Sequence, residues 1–218
     1  MRRIAIAVVV VAAALLATAQ ESSTSEVFDE AASGKPWEQS PSSFRGISFG
    51  STEAAAITVL GPMKCHDLGL PWFVRECRAI KNESRMKING TAIEDFYQFH
   101  EGKLVSVRLS DQTSAMGSLP SPAFRDVVSA FTERYGPPTR TWKTRHKGVQ
   151  SAHYSLVGRP LGPWVPYEFI TEAAEWKGDE MVLTLAQRND GSFGWGSLQT
   201  AAWVKEHEAL TKKPTTAF

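Results

Sequence analysis

Tyr97-Gln98-Phe99-His100-Glu101-Gly102-Lys103-Leu104-Val105-Ser106-Val107-Arg108-Leu109 alternates apolar and polar side chains on either side of Glu101-Gly102. Successive side chains of a strand point to opposite faces, so Tyr97 and Phe99 share a face of the first run, and Val105, Val107 and Leu109 share a face of the second. Two such runs about a glycine turn predict a β-hairpin. A second stretch has the same form: Trp176, the turn Lys177-Gly178-Asp179, then Met181-Val182-Leu183-Thr184. Upstream of each lies a helical pattern ending in Gly-Pro, at Leu60-Gly61-Pro62 and Tyr135-Gly136-Pro137. The first helix follows Gly50-Ser51 as turn and cap, with Glu53 in its first turn and Ile57 and Leu60 on one face. The second is opened by Ser121-Pro122 and carries the stripe Phe124, Val127, Val128, Phe131 and Tyr135. Further strands are expected at 44–49, 72–80, 140–147, 150–157 and 167–176, while 193–203 fits a strand and the last residues fit a helix equally well. These elements predict an α+β fold: a duplicated helix-then-β-meander unit, with two helices packed on an antiparallel sheet.

Outward from this core, the ends of the chain differ in character. Arg2 and Arg3 precede the apolar run 4–16, and Ala17-Thr18-Ala19 supplies the small residues of a cleavage site, so residues 1–19 read as a secretory signal peptide. Cleavage would reduce 24 basic residues to 22 against 23 acidic ones, which excludes a dominant polyanion partner such as nucleic acid. Residues 20–43 hold seven serines and five acids against one lysine, without apolar periodicity, and are expected to form a disordered linker. Trp37 in this span reads as a loosely held aromatic, or one that docks on the domain or a partner. The folded domain is then 44–205, with possible halves 44–120 and 121–205, followed by a frayed tail, 206–218. At 42% apolar and 22% charged residues, the chain is neither disordered throughout nor a polytopic membrane protein.

Export sends the two cysteines, Cys65 and Cys77, into an oxidising compartment, so a disulfide between them is expected. The rival reading makes Cys65 a nucleophile or metal ligand beside His66 and Asp67. Adjacent residues diverge on a strand or helix, which counts against that triad. His100-Glu101 and His207-Glu208 begin like a zinc-protease motif, but Leu104 and Thr211 stand where the second histidine would complete a ligand pair. The chain also lacks a phosphate loop and a dinucleotide fingerprint. No catalytic residue, metal site or cofactor is therefore predicted, and a hydrolase of unrecognised type stays the enzymatic alternative.

Two stretches are candidates for partner contact. In Pro160-Leu161-Gly162-Pro163-Trp164-Val165-Pro166, prolines at 160, 163 and 166 favour a polyproline II ridge presenting Trp164, or else a connection whose tryptophan folds back on the core. In Arg140-Thr141-Trp142-Lys143-Thr144-Arg145-His146-Lys147, alternation sends Lys143, Arg145 and Lys147 to one face and Trp142 to the other. That basic stripe suits an acidic partner, anionic lipid or glycan, or simply a solvated face. A binding module predicts that some of Trp72, Trp142, Trp164 and Trp195 lie exposed together beside it. The sequons at Asn82 and Asn89 bear on glycosylation only in a eukaryotic source.

Phe49-Gly50-Ser51-Thr52-Glu53, Val59-Leu60-Gly61-Pro62 and Phe99-His100-Glu101-Gly102-Lys103-Leu104 together resemble a known pattern. It is that of small bacterial envelope domains of the SmpA/OmlA type and of the repeats of β-lactamase inhibitor protein. Here Gly61 is followed directly by Pro62, and the cysteine loop is an addition to that pattern. The resemblance implies an exported protein, periplasmic or else secreted, acting as a noncatalytic protein-binding or envelope-maintenance module. A purely structural tethered domain is the further alternative. No site residues carry over, because such scaffolds share a frame and differ in their surfaces.

Overall fold

The Glu101-Gly102 turn joins strand β7 (Thr91–His100) to β8 (Lys103–Asp111), with Leu104 opposite Phe99 and Val107 opposite Tyr97. Both turn residues have positive φ, 49° and 75°, as a two-residue turn matched to the right-handed strand twist requires. Asn89-Gly90 does the same between β6 (Met86–Ile88) and β7, and Arg45-Gly46 between β2 (Ser43–Phe44) and β3 (Ile47–Ser48). The computed structural model describes residues 23–33, 35, 37–38, 40–69, 74–80, 86–111, 121–154 and 160–212, without the side chains of 151–154, 160–162 and 212. The expected signal peptide, Trp72 and Asn82 lie outside the described residues.

The remaining elements are β1 (Thr24–Ala32), α1 (Glu53–Leu60), β4 (Met63–Leu68), β5 (Val74–Ala79), α2 (Phe124–Tyr135), β9 (Arg140–Tyr154), β10 (Pro160–Lys177), β11 (Met181–Gln187), β12 (Phe193–Thr200) and α3 (Ala201–Lys212). Ten strands form one sheet, in the order β1-β9-β10-β11-β12-β8-β7-β5-β4, with β6 beside β7. This corrects the expected fold. The described chain is mostly β, 58% strand against 20% helix, with three helices and one large antiparallel sheet rather than two helices on a sheet in a duplicated unit. The alternating runs extend further than local pattern suggested, β1 adds a strand from the leader, and the C-terminal stretch is helical.

Residues 25–146 with 169–218 make one compact unit, and 147–168 belong to another. In the first, one row of side chains crosses six strands: Trp176, Leu183, Leu198, Val107, Tyr97 and Cys77 are each other's neighbours in register, and all are fully buried. Each contributes about 1.5–3 kcal/mol by leaving water. Against this face packs α2 through Phe124, Val127, Phe131 and Tyr135. Neither helix starts quite where its sequence signal pointed. Thr52, not Ser51, caps α1 by accepting from the Ala55 amide. In α2, Ala123 holds the cap position without a side-chain bond, and the Ser121 hydroxyl donates instead to the Asp111 carboxylate. On α1 the buried residue is Ala56 and Leu60 is half-buried against the core, while Ile57 is 38% exposed.

In the span expected to be a disordered linker, Thr24–Ala32 forms β1 and Trp37 is buried. The Trp37 indole N–H donates to the Tyr135 carbonyl at 2.9 Å, and that of Trp176 to the Gly136 carbonyl at 2.7 Å. The two indoles thus satisfy carbonyls that the end of α2 leaves without helical partners. Where a frayed tail was expected, α3 continues to Lys212 and buries Trp203 against the His100 ring, 4.6 Å between centroids.

In the second unit, the outer parts of β9 and β10 hold Lys147 beside Glu168 at 3.3 Å and set Gly148 beneath the Tyr167 ring, where a Cβ would meet the phenol oxygen at 2.7 Å. Pro160, Pro163, Trp164 and Pro166 lie on β10, so their backbone is assigned to a strand rather than a polyproline II ridge. Proline's fixed φ suits both conformations.

Candidate functional site

Register also defines the sheet's second face. Glu175, Thr184, Ser197, Arg108 and Phe96 form one row there, and Ala173, Ala186, Trp195 and Ser110 another. Ala186 and Ser110 on the two strands next to Trp195 leave low ground beside it, and the indole stands 49% exposed. Its flanking glycines are set by the opposite face. A Cβ on Gly196 would meet Leu185 Cδ2 at 2.6 Å, and one on Gly194 would meet Arg188 Cγ at 2.9 Å. The sequence Gly194-Trp195-Gly196 therefore presents one large side chain to the open face and none to the other.

A groove of about 480 Å³ runs across this face, lined by Trp142, His146, Phe169, Gln187, Arg188 and Trp195 among others. Trp142 is half-buried under the Arg140 guanidinium, 4.7 Å from the ring centroid. The His146 and Phe169 rings stack at 4.8 Å and 25°. Both nitrogens of His146 are engaged, Nε2 with the Thr171 hydroxyl and Nδ1 with the Ser25 hydroxyl, each at 3.0 Å. Those contacts fix the ring as a platform. Arg188 Nη1 donates to the buried Asp111 carboxylate at 2.6 Å, so the groove's cation is anchored from below.

Beyond the groove, the same face carries Glu76, which accepts from Arg108 Nη2 and from Gln98 Nε2, both at 2.9 Å. Burial works against its charge, but the hydrogen bonds from Arg108 and Gln98 and the Arg108 charge outweigh it and hold the carboxyl below its ordinary value. The Arg108 guanidinium also lies 4.1 Å above the Phe96 ring. A second cavity of about 430 Å³ lies among β1, β9, β10 and α2, with Asp29, Lys143 and Arg125 in its wall, and it shares Trp142, Glu172 and Ala173 with the groove.

The structure brings together some of the residues singled out in the sequence and separates others. Trp142 joins Trp195 in the groove. Lys143 and Arg145 point away from Trp142 and pair with Asp29 and Glu26, while Lys147 pairs with Glu168. Trp164 is 39% exposed in the second unit. Cys65 and Cys77 face each other across β4 and β5 at disulfide distance, with Cα atoms 4.0 Å apart. Their neighbours diverge: His66 stands opposite Glu76, and Asp67 accepts from Arg75. His100 lies under Trp203, with Glu206 at 3.3 Å from Nε2. His146, Phe169, Gln187 and Arg188 carried no sequence signal, since they converge from three strands and a turn. Comparison with protein-family models, with curated proteins and with solved structures finds no match for this chain.

Proposed function

We propose that this protein is an exported, noncatalytic binding module of the bacterial envelope, periplasmic by its leader, and that it takes a protein partner on the open sheet face around Trp142 and Trp195. The observation that carries this reading is the meeting of these two tryptophans in one groove with the stacked His146–Phe169 pair. Tryptophans in well-formed pockets supply a large share of interface energy and lose little side-chain entropy on binding. The cysteine pair at disulfide distance suits an oxidising compartment. The resemblance to small envelope domains supports the same class of function.

The test is capture of envelope proteins on immobilised full-length protein, with Trp195→Ala and Trp142→Ala as comparators. Truncating an interface anchor typically costs about 2 kcal/mol or more, roughly 30-fold in affinity. A protein retained by the wild type and lost with both variants, while their thermal unfolding stays close to wild type, is the expected outcome. Equal capture by all three proteins would remove the groove from the binding reading.

A further inference from the structure

The basic stripe has an acidic partner within its own chain. On β1, Glu26 pairs with Arg145 at 3.5 Å, Glu30 with Arg140 Nε at 2.8 Å, and Asp29 with Lys143. The Arg145 guanidinium also lies 4.6 Å over the Phe28 ring. The carboxylates of Glu30 and Asp29 beside them raise the Arg140 and Lys143 pKa above their ordinary values. Alternation alone does not permit the arrangement. Glu26 and Glu30 are an even number of residues apart, whereas Arg145 and Arg140 are an odd number apart and lie on opposite faces. The left-handed backbone at Asp29, φ 50°, breaks the alternation of β1 and brings Glu30 to Arg140.

Little else holds β1 in place. Every residue of the strand is exposed except the half-buried Phe28, and β1 is the sheet's edge, paired only with β9. It is held by ladder hydrogen bonds, the Ser25–His146 side-chain bond, one aromatic contact and exposed ion pairs, all within reach of solvent and salt. By contrast β11, with Leu183 and Leu185 fully buried, is fixed by the core. We propose that the edge of β9 bearing Arg140, Lys143 and Arg145 is a recognition site for an acidic extended segment of another polypeptide, which adds as a strand, and that β1 is its built-in, displaceable occupant. Backbone pairing would supply affinity and the three cations the selectivity. The site adjoins the aromatic groove, since Ser25 of β1 bonds His146, but it stands whether or not the groove binds a partner.

The test uses the full-length chain with β1 neutralised, Glu26→Gln, Asp29→Asn and Glu30→Gln together, and a labelled peptide spanning residues 25–32, Ser25-Glu26-Val27-Phe28-Asp29-Glu30-Ala31-Ala32. Fluorescence anisotropy should show saturable binding to the neutralised variant, at least about tenfold weaker binding to wild type, where the tethered strand competes at high effective concentration, and loss of binding as salt rises. A peptide with its three acids replaced by amides should not bind. Equal affinity for both proteins, no binding to either, or indifference to the peptide's charge would overturn the proposal. A second measurement does not rely on the variant: in wild-type protein, β1 amides should exchange hydrogen faster than those of β11, and faster still in high salt. Protection of β1 equal to that of β11 would overturn it. So would a salt-sensitive dimer of the wild type in sedimentation, which would make a second copy's β1 the occupant.

Discussion

Replacing Trp37 by phenylalanine separates two views of the leader: a loose tether, or a structural part of the domain. Trp37 is 5% exposed, packs edge-on against Tyr135 at 5.8 Å, and donates its indole N–H to the Tyr135 carbonyl. Phenylalanine keeps an aromatic ring there but removes the donor, leaving a buried carbonyl at the end of α2 without its partner, at a cost of about 1–3 kcal/mol. The smaller ring also gives up packing worth about 1 kcal/mol. The sum is about 2–4 kcal/mol, which in a chain of this size lowers the melting temperature by roughly 5–15 °C. Urea unfolding followed by far-UV circular dichroism should show a lower midpoint at unchanged slope. Trp195→Phe, on the open face, should shift stability by no more than about 0.5 kcal/mol. A Trp37→Phe change equally small would refute the reasoning, because it would mean that the indole bond is not formed in solution.

Gly178→Ala should loosen the same region, since its Cβ would lie 3.0 Å from the Trp37 carbonyl oxygen; a stability loss of about 1 kcal/mol is expected, and because Trp37→Phe keeps that carbonyl, the loss should persist in the Trp37→Phe background in a double-mutant cycle. Glu76 titrates below its ordinary value in the folded protein, so its contribution is present above the unfolded carboxyl pKa and is lost as pH falls through the folded one; Glu76→Gln should flatten the acid limb of a stability–pH curve below about pH 4.5. Tyr97 is shifted the other way, by burial and then by Asp95, so its contribution is present below the ordinary tyrosine pKa and is lost in strong alkali; tyrosinate absorbance from this ring should appear only with unfolding. Reduction of the Cys65–Cys77 pair should destabilise the fold by about 3 kcal/mol for a loop of this length, and mass spectrometry should find no free thiol before reduction.

Legibility in the sequence followed the range of the interaction. The β7–β8 hairpin was readable because everything that makes it, alternation and the Glu101-Gly102 turn, lies within a dozen residues. The apolar stripe of α2 was readable for the same reason. β1 was not, since Val27 and Phe28 are adjacent rather than alternating, and its partners Arg140, Lys143 and Arg145 lie more than a hundred positions away. Local composition reported an acidic, serine-rich segment and pointed to disorder, while the pairing that orders it is a long-range charge match. The groove divides likewise. Trp142 and Trp195 could be marked as large side chains with polar or glycine neighbours, but only the strand order places β9, β10, β11 and β12 side by side and carries them to one face.

The tryptophans sort by what lies beneath them. Trp37 and Trp176 sit over the end of α2, where two carbonyls need donors, and Trp203 sits over His100, so each is enclosed and partnered. Trp195 has Ala186 and Ser110 beside it on its own face and a glycine on either side along the strand, so about half of it is left uncovered. Leaving part of an indole in water forgoes stability that an alanine or threonine would not have offered, and strand propensity alone is satisfied by many smaller residues. In the proposed binding reading, the area left uncovered on Trp195 is what an incoming partner would bury.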